Sequence, residues 1–335
     1  MKVAIVGATG AVGREMISDL ENSNIKNIDI KLFASPRSAG EVLTFRGKSH
    51  EVKPFSLDAM RGLDACLMSA GGSFSRQNAK AIADLGVTVI DNSSAWRMVD
   101  GVPLVVPEVN PEALRGLPKG VIIANPNCST IQMVVALKPL MDKFGVEQVQ
   151  VATYQSVSGT GQKGIKELAT QVESIFKFQD PKAEVYAQPI AYNVLPGIDV
   201  VDGSGHCFEE EKMVRETRKI FGKPNLPVMA TTVRVPVYHC HSEAVSVKLS
   251  KAVSRREAIE AMTGFKGLTV HTEDAHAAFP TPRGIAGDQG VHVARVRTPI
   301  DAERSDWLQM WVVADNLKKG AATNAVQILE AISYH

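Results

Sequence analysis

The sequence predicts an α/β protein of two domains, and three observations support this prediction. The chain has 335 residues, which is more than a single hydrophobic core usually serves. Up to about residue 127, short apolar strands alternate with helical patterns, as in βαβ units with a parallel sheet. After Cys128 the strands become long and alternate apolar with polar residues, which is typical of a mainly antiparallel sheet with one covered face.

The first domain is predicted to begin with a strand at 2–6, a glycine turn and a helix near 11–21. A second strand at 28–33 ends in a polar turn, and a further helix is predicted at 74–85. The remaining strands of this domain are predicted at 64–69, 87–91, 104–106 and 121–124.

The second domain is predicted from its long alternating segments. These strands are predicted at 147–157, 228–249, 291–297 and 307–315. Helices are predicted between them at about 161–178 and 208–221, and an alanine-rich helix follows at 318–333. The pattern therefore indicates an α+β domain and a closing C-terminal helix.

Composition excludes several classes of function. The net charge is +1 with mixed signs and only 6% of residues are aromatic, so no nucleic-acid surface is expected. No apolar stretch approaches the roughly 20 residues that span a bilayer, and the apolar start MKVAIVG is too short for a signal peptide. We therefore expect a soluble, cytoplasmic protein without a membrane partner.

Glycines at 7, 10 and 13, in GATGAVG, directly follow a predicted strand and open a helix. Such a turn lets the backbone approach a pyrophosphate, which the N–H groups of the helix terminus bind. The spacing is GxxGxxG rather than GxGxxG, and the alternative is a tight turn that binds nothing. We favour a Rossmann-type dinucleotide site.

The turn after the second strand indicates which dinucleotide is bound. It reads ASPRSAG and offers Ser35, Arg37 and Ser38 but no carboxylate, while Asp29 lies too early, inside the strand. An arginine flanked by hydroxyls suits a 2′-phosphate, so NADP is predicted. The alternative is a solvated loop arginine. We place the dinucleotide-binding domain at 1–127, completed by a C-terminal helix at 316–335, and a catalytic and dimerisation domain at 128–315.

The stretch ANPNCSTIQM places Cys128 at the start of a predicted helix. The four cysteines have no CxxC spacing, so a disulfide is not expected. A helix N-terminus lowers the pKa of a thiol, and Asn127 and Ser129 are candidate caps. The window alone leaves a buried inert cysteine as likely as a nucleophile.

Polar residues in otherwise apolar strands favour the nucleophile. Gln155 ends one strand before a glycine-rich turn, and RVPVYHCHSEAV carries Arg234, His239 and His241. An unbroken strand would place Arg234 and His241 on opposite faces, unless Pro236 marks a bulge or edge. His239 and His241 would share a face, but a metal site has low weight because no third ligand cluster is visible.

Two charged residues, Glu209 and Lys212, are spaced i and i+3 on a predicted helix and therefore share one face. The usual interpretation of such a pair is a solvated ion pair.

Together these segments resemble the aspartate-β-semialdehyde dehydrogenase family over nearly the whole chain. The resemblance is carried by GATGAVG, ASPRSAG, DNSSAWRM, PNCSTIQ, QSVSGTG, the EExKM-type helix, RVPVxxxHSEAV and DNLKKGAATNAVQI. It implies a glyceraldehyde-3-phosphate-dehydrogenase-like fold and a homodimer. It also implies NADPH-dependent reduction of aspartyl phosphate to the semialdehyde and inorganic phosphate, in lysine, threonine and methionine biosynthesis.

The resemblance also implies a role for individual residues. Cys128 would form an acyl-thioester, Gln155 would orient the substrate, and His241 would be the acid/base catalyst with an ordinary pKa of about 6.5. Substrate and phosphate would be bound by Arg234 (carboxylate), Glu209 (amino group), Arg97 and Lys212 (phosphate). NADP would be lined by Gly7, Thr9, Gly10, Ala11, Val12, Gly13, Ser35, Arg37, Ser38, Ser158, Gly159 and Asn316. The stretch 251–300 carries few family motifs and contributes no predicted site residue.

Four other functions are disfavoured by the sequence. N-acetyl-γ-glutamyl-phosphate reductase shares the chemistry, but its cysteine usually lies in a Gly-Cys-Tyr context and its acetylated substrate would not need Glu209. A malonyl-CoA reductase would not need a phosphate site, so Lys212 and Arg97 count against this function. A non-catalytic paralogue is disfavoured by the presence of Cys128, Gln155 and His241, and a metal-dependent hydrolase by the lack of ligand spacing.

Overall fold

The computed structural model describes residues 1–333, and the chain divides into two compact units. The first unit contains Met1–Asn127 together with residues 321–333, and the second contains Cys128–Gly320. Each unit contains its own large sheet. The last two residues of the predicted helix 316–335 lie outside the described residues.

The sheet of the first unit has six strands, all parallel, in the order β5-β2-β1-β6-β7-β8. Its strands are β1 (Lys2–Val6), β2 (Asp29–Ala34), β5 (Lys53–Pro54), β6 (Ala65–Met68), β7 (Thr88–Asp91) and β8 (Ile122–Ala124). The separate hairpin consists of β3 (Val42–Phe45) and β4 (Lys48–Glu51). Strand β1 starts and ends as predicted, because a buried parallel strand reads as an unbroken apolar run.

Helices cover both faces of this parallel sheet. They are α1 (Ala11–Glu21), α2 (Gly72–Ala83) and α8 (Thr323–Ser333), the last preceded by a π-helical turn at Lys318–Ala322. Helices α1 and α8 share one apolar cluster with the sheet, which includes Met16, Leu20 and Ile328, and α2 contributes to the other. This is the doubly wound arrangement expected for a Rossmann-type domain.

One predicted strand of the first unit is wrong. Residues 104–106 form only an isolated bridge between Leu104 and Ala124, not a strand. The segment is apolar because its residues pack in the core without joining the sheet as a strand. Leu104, Val105 and Val106 are all buried.

The second unit has a seven-stranded mixed sheet in the order β10-β11-β9-β12-β15-β14-β13. Its strands are β9 (Val146–Gln155), β10 (Leu195–Pro196), β11 (Val228–Arg234), β12 (His241–Ser254), β13 (Leu268–Val270), β14 (Val291–Arg297) and β15 (Arg304–Ala314). Its helices are α3 (Cys128–Phe144), α4 (Gln162–Phe176), α5 (Phe208–Ile220), α6 (Arg255–Met262) and α7 (Pro282–Ile285). The pairs β9–β11 and β13–β14 are parallel and the other four are antiparallel, so the predicted, mainly antiparallel sheet is confirmed.

The prediction of a single strand at 228–249 is wrong. The chain leaves the sheet after Arg234, turns through residues 235–240 and returns as β12. Pro236 cannot donate a ladder hydrogen bond, which explains the interruption at this point. The turn moves β12 to the far side of β9, so that β9 lies between β11 and β12.

One face of this sheet is covered and the other is open. Val149, Val151, Val245 and Val247 alternate inward and are buried, and α3 packs against β12, β9 and β15. The residues between them point to the opposite face, where Tyr154 and others are exposed. Within residues 1–333, no helix is both long and apolar enough to cross a membrane.

Candidate active site

Cys128 is the first residue of α3, where the backbone N–H groups have no partners within the helix. The residue is partly exposed, whereas the helix residues that follow it are buried. Gly320 lies so close to Cys128 that a Cβ on Gly320 would be 2.8 Å from the Cβ of Cys128. The helix terminus favours a negatively charged thiolate. The capping roles of Asn127 and Ser129 stay predictions.

Three polar residues lie where neighbouring strands of the second sheet end or begin. Gln155 is the last residue of β9 and is paired with Arg234, the last residue of parallel β11. His241 is the first residue of β12, which runs antiparallel to β9 and pairs its next residue with Tyr154. All three side chains are buried. The sheet therefore brings together, at the ends of three neighbouring strands, three residues that lie up to 86 positions apart in the sequence.

The turn at 235–240 resolves the predicted conflict between Arg234 and His241. A Cβ on Gly159 would lie 2.9 Å from Nη1 of Arg234 and 3.3 Å from Nε2 of His241, so both side chains border the same small space. Cys240 has a φ of +69° and packs with Ile285 and Val313. His239 lies in the turn rather than in a strand, so the prediction that it shares a strand face with His241 is wrong.

Helix α5 contributes Glu209 and Lys212 to the second unit's site. Glu209 accepts a hydrogen bond from Nε2 of Gln155 at 3.2 Å and pairs with Nζ of Lys212 at 3.0 Å. Lys212 also pairs with Asp199 at 2.6 Å. Burial lowers the pKa of Lys212, but the carboxylates of Glu209 and Asp199 outweigh it and raise the pKa above its ordinary value. The pair is therefore part of a charged network rather than a solvated ion pair.

The ring of His241 has an unusual environment. It is fully buried, and burial together with the charge of Arg234 lowers its pKa to about 3, although Glu209 acts in the opposite direction. Nδ1 accepts a hydrogen bond from the backbone N–H of Ser156 at 3.0 Å. The ordinary pKa expected from the sequence does not hold in the folded protein, so His241 is neutral at physiological pH.

The glycine turn of the first unit has the close contacts that its sequence predicts. Gly7 has a φ of +90°, and a Cβ there would lie 2.4 Å from the carbonyl oxygen of Ser69. A Cβ on Gly13 would lie 2.2 Å from the carbonyl oxygen of Gly7. Only glycine fits at either position, and the turn leads directly into α1. The same stretch contains Thr9, Gly10, Ala11 and Val12, and their contacts with NADP stay predictions.

Arg37 and Ser38 lie in a short 3₁₀ turn at Pro36–Ser38, and Ser35 lies between this turn and the end of β2. Arg37 is exposed, and within residues 1–333 it makes no hydrogen bond or ion pair. Its guanidinium is therefore available to a ligand at the carboxyl end of β2, where parallel sheets bind nucleotides.

Arg97 belongs to the first unit and is buried. Its guanidinium donates to the carbonyl oxygens of Asn125, at 2.9 Å, and Asn92, at 3.0 Å. Ser158, Gly159 and Asn316 belong to the second unit, where Nδ2 of Asn316 donates to Oγ of Ser158 at 3.0 Å. Their predicted roles toward phosphate and NADP stay predictions.

Sequence reasoning missed two residues that hold His241. Ser156 contacts its ring, and Cys240, the residue just before β12, has a left-handed backbone conformation. The only signal for Ser156 was its place in the turn QSVSGTG, and a positive φ at a cysteine has no sequence signal.

Two family models match the chain. The model described as "Semialdehyde dehydrogenase, NAD binding domain" matches residues 2–117. The model described as "Semialdehyde dehydrogenase, dimerisation domain" matches residues 137–319. Together they span most of both structural units.

Relatives and solved structures agree with these matches. The aspartate-semialdehyde dehydrogenase of Aquifex aeolicus is 49% identical over 99% of this chain and 97% of its own length. The crystal structure of aspartate semialdehyde dehydrogenase II from Vibrio cholerae, complexed with ASA, has a TM-score of 0.93 at 43% identity and covers 99% of this chain and 98% of its own. The Candida albicans aspartate semialdehyde dehydrogenase with NADP has a TM-score of 0.75 at 25% identity, with 99% and 98% covered.

Proposed function

The chain belongs to the aspartate-semialdehyde dehydrogenase family, and from this premise we propose that Cys128 carries the acyl group of its substrate as a thioester. The chain is an oxidoreductase of amino-acid biosynthesis that converts L-aspartyl 4-phosphate to L-aspartate 4-semialdehyde and phosphate. The single observation that carries the proposal is the position of Cys128 at the N-terminus of α3, in the unit that also holds Gln155, Arg234 and His241.

The buried charges of the second unit suit an amino-acid head group. Arg234 offers a guanidinium to the α-carboxylate, and its Nη1 is already oriented by the carbonyl oxygen of Ser156 at 2.7 Å. Glu209 offers a carboxylate to the amino group. The anionic carboxylate of the substrate would thus face the cation of Arg234, and its cationic amino group would face the anion of Glu209.

Lys212 and Arg97 are the proposed ligands of the phosphate group. In this structure Lys212 is held by two carboxylates, of which Asp199 is the more exposed. A phosphate dianion would compete best with Asp199, since an exposed ion pair contributes little.

The residues of the first unit fit NADP. The turn between Gly7 and Gly13 leaves room that a Cβ would fill, and α1 presents its N-terminal N–H groups. Arg37 is the proposed contact of the 2′-phosphate. When bound, the reduced cofactor supplies the hydride for the reduction.

The chain's own residues divide the reaction into two easier steps. The Cys128 thiolate attacks the acyl carbon, a C–S bond forms, and the phosphate leaves with the electron pair of the broken C–O bond. Gln155, held by Glu209, orients the carbonyl group. Hydride addition to the thioester carbon produces an oxyanion, and cleavage of the C–S bond releases the aldehyde and returns the thiolate.

The open face of the second sheet is the proposed homodimer surface. It exposes Tyr154 and Met229, and Tyr154 lies against Trp311 with 5.6 Å between ring centroids. Exposed aromatic and Met residues together are typical of protein interfaces. The matched dimerisation domain covers this sheet. The cytoplasmic location stays a prediction.

The decisive experiment measures phosphate-dependent formation of NADPH in the reverse direction. Aspartate semialdehyde and N-acetylglutamate semialdehyde are compared, each with and without phosphate. We expect activity only with the first, and only when phosphate is present. Activity only with the second would move the substrate assignment to N-acetyl-γ-glutamyl-phosphate reductase, and no activity with either would favour a non-catalytic paralogue.

A further inference from the structure

Arg97, a proposed phosphate ligand, is held by the ends of two neighbouring parallel strands. Its Nε donates to the carbonyl oxygen of Asn125, which follows β8, at 2.9 Å. Its Nη2 donates to the carbonyl oxygen of Asn92, which follows β7, at 3.0 Å. Because the guanidinium is planar and rigid, these two bonds fix its plane. The orientation of Arg97 therefore depends on how the two carbonyl groups are placed.

The side chains of the same two residues are bonded to each other. Nδ2 of Asn125 donates to Oδ1 of Asn92 at 2.6 Å and to the carbonyl oxygen of Ala321 at 3.2 Å. Asn125 is fully buried, so water does not compete for these bonds. The spacing of the carbonyl groups that hold Arg97 is thus set by a contact between the residues that carry them.

Asn324 of α8 orients the amide of Asn125. Asn324 is fully buried, and its Nδ2 donates to Oδ1 of Asn125 at 2.7 Å and to the carbonyl oxygen of Val105 at 2.9 Å. A backbone carbonyl only accepts hydrogen bonds, so the Asn324 atom that faces Val105 must be the amide nitrogen. The carbonyl of Ala321 selects the nitrogen of Asn125 in the same way. Two backbone carbonyl groups therefore determine the orientation of both amides.

From this geometry we infer that Asn324 is a positioning residue for Arg97 and acts through the amide of Asn125. Without Nδ2 of Asn324, Oδ1 of Asn125 loses a buried donor, and the Asn125 amide is no longer held toward Asn92. The carbonyl groups of Asn92 and Asn125 then lose their fixed spacing. The C-terminal helix thereby sets the geometry of an arginine that precedes it by more than 200 positions.

The chemical consequence rests on the proposed role of Arg97 toward phosphate. A guanidinium binds a phosphate through N–H groups that point in fixed directions, so its affinity for the anion depends on how the plane is oriented. Aspartate semialdehyde and NADP are proposed to be bound by other residues. Loss of the Asn324 amide should therefore weaken phosphate selectively.

Steady-state kinetics of Asn324→Ala in the reverse direction test the inference. We expect KM for phosphate to rise about tenfold, the value of one hydrogen bond, while KM for aspartate semialdehyde and for NADP changes little. An unchanged KM for phosphate in the folded variant would overturn the inference.

Asn92→Ala is a second variant that tests the other end of the same chain of amides. Asn92 is only half-buried, and the substitution removes Oδ1 while keeping the backbone carbonyl that accepts from Arg97. We expect the same selective rise of KM for phosphate. The inference stays testable in this variant if Asn324→Ala does not fold, and an unchanged KM for phosphate here would overturn it.

Thr323→Ala is the matched control for a merely structural role of Asn324. Thr323 is the neighbouring buried polar residue of α8, and its Oγ1 donates to Oδ2 of Asp19 in α1 at 2.6 Å. We expect a lower Tm and an unchanged KM for phosphate. If Thr323→Ala raised this KM as much as Asn324→Ala does, the effect would be one of general helix packing and the inference would be wrong.

A double-mutant cycle shows whether Asn324 acts through Arg97. We expect Arg97→Ala to raise KM for phosphate, and Asn324→Ala to add nothing in that background. Additive effects would overturn the inference.

The same cycle separates the inference from the proposed function. An unchanged KM for phosphate in Arg97→Ala would remove Arg97 from the phosphate site and the inference with it. A rise in Arg97→Ala without one in Asn324→Ala would overturn the inference alone.

Discussion

Replacing Cys128 with alanine removes only the sulfur atom at the start of α3. We expect Cys128→Ala to lose turnover while keeping NADPH affinity, because the thiol and the glycine turn belong to different elements. Turnover and the fluorescence titration of NADPH measure the two properties separately. Cys66→Ala, in a buried strand, is the matched control and should keep turnover if it folds. Near wild-type turnover of Cys128→Ala would exclude the thioester.

Arg37 is the residue on which cofactor selectivity is predicted to depend. The side chain is exposed and makes no hydrogen bond or ion pair within residues 1–333, so Arg37→Ala should leave the fold intact. We expect KM to rise at least about tenfold for NADPH and little for NADH, because only NADPH carries the 2′-phosphate. Steady-state kinetics with both cofactors check this. An equal rise for both would remove the proposed contact, and Arg61→Ala, also on the exposed surface, is the control.

Glu243 is a buried carboxyl group two residues after His241, close to Gln132 of α3. Burial raises its pKa well above 4.5, although the contact with Gln132 acts to lower it. Between the pKa in the unfolded chain and the higher pKa in the folded protein, only the unfolded chain ionises. The stability contributed by the neutral form is therefore lost as pH rises, by about 1.4 kcal/mol per pH unit.

Glu243→Gln removes this ionisation. We expect its Tm, relative to wild type, to increase as pH is raised from about 5 to about 7, as measured by thermal unfolding. Glu112→Gln, at an exposed position, should show no such trend. A Tm difference that does not change with pH would mean that Glu243 is ionised in the folded protein.

At the scale of elements, the turn at Val157–Thr160 after β9 lies against two site residues, Arg234 and His241. Gly159→Ala would place a methyl group 2.9 Å from Nη1 of Arg234, which is already fixed by Ser156. The guanidinium or the ring of His241 must then move by a few tenths of an ångström. We expect kcat/KM to fall roughly 10- to 100-fold without loss of the fold.

The control for this element is Gly203→Ala, since no atom lies within 4 Å of a Cβ there. It should keep wild-type kcat/KM and the wild-type circular dichroism spectrum. Full activity of Gly159→Ala would show that the space between Arg234 and His241 is not used by the substrate.

Elements with a strong local pattern were predicted closely. The bounds of β1, α1 and β14 agree with the predictions because their apolar periods are unbroken. The segment 228–249 was predicted as one strand because both halves alternate in the same way. Its interruption at 235–240 depends on the position of β9 between the halves, which no local pattern contains.

For the candidate site, too, the sequence predicts the residues but not the contacts between them. Cys128, Gln155, Arg234 and His241 were identified from residue type and motif. The contacts of Ser156 with His241, and of Gln155 with Glu209, join residues that are distant in the chain and could not be predicted. Motifs name chemical groups, but burial and neighbours set their charge state.

At the scale of the whole molecule, the open face of the second sheet is predicted to meet a second copy. Met229 is 52% exposed in the single chain, and Met229→Lys would place a charge in the proposed interface. We expect sedimentation equilibrium to show a shift from dimer to monomer. Val42→Lys, at a similarly exposed position of the first unit, should leave the dimer intact. An unchanged dimer in Met229→Lys would place the interface elsewhere.

The sequence by itself determined the two-sheet plan, the glycine turn and the chemical groups of the site, because periodicity, turn residues and short motifs are local properties. Only the tertiary structure decided that Arg234 and His241 border the same space, that Glu209 holds Gln155 and Lys212, and that His241 is neutral. The physical reason is that charge state and hydrogen bonding depend on burial and on partners from other strands. Ser156 and His241, which are 85 positions apart, become neighbours only when the sheet has formed.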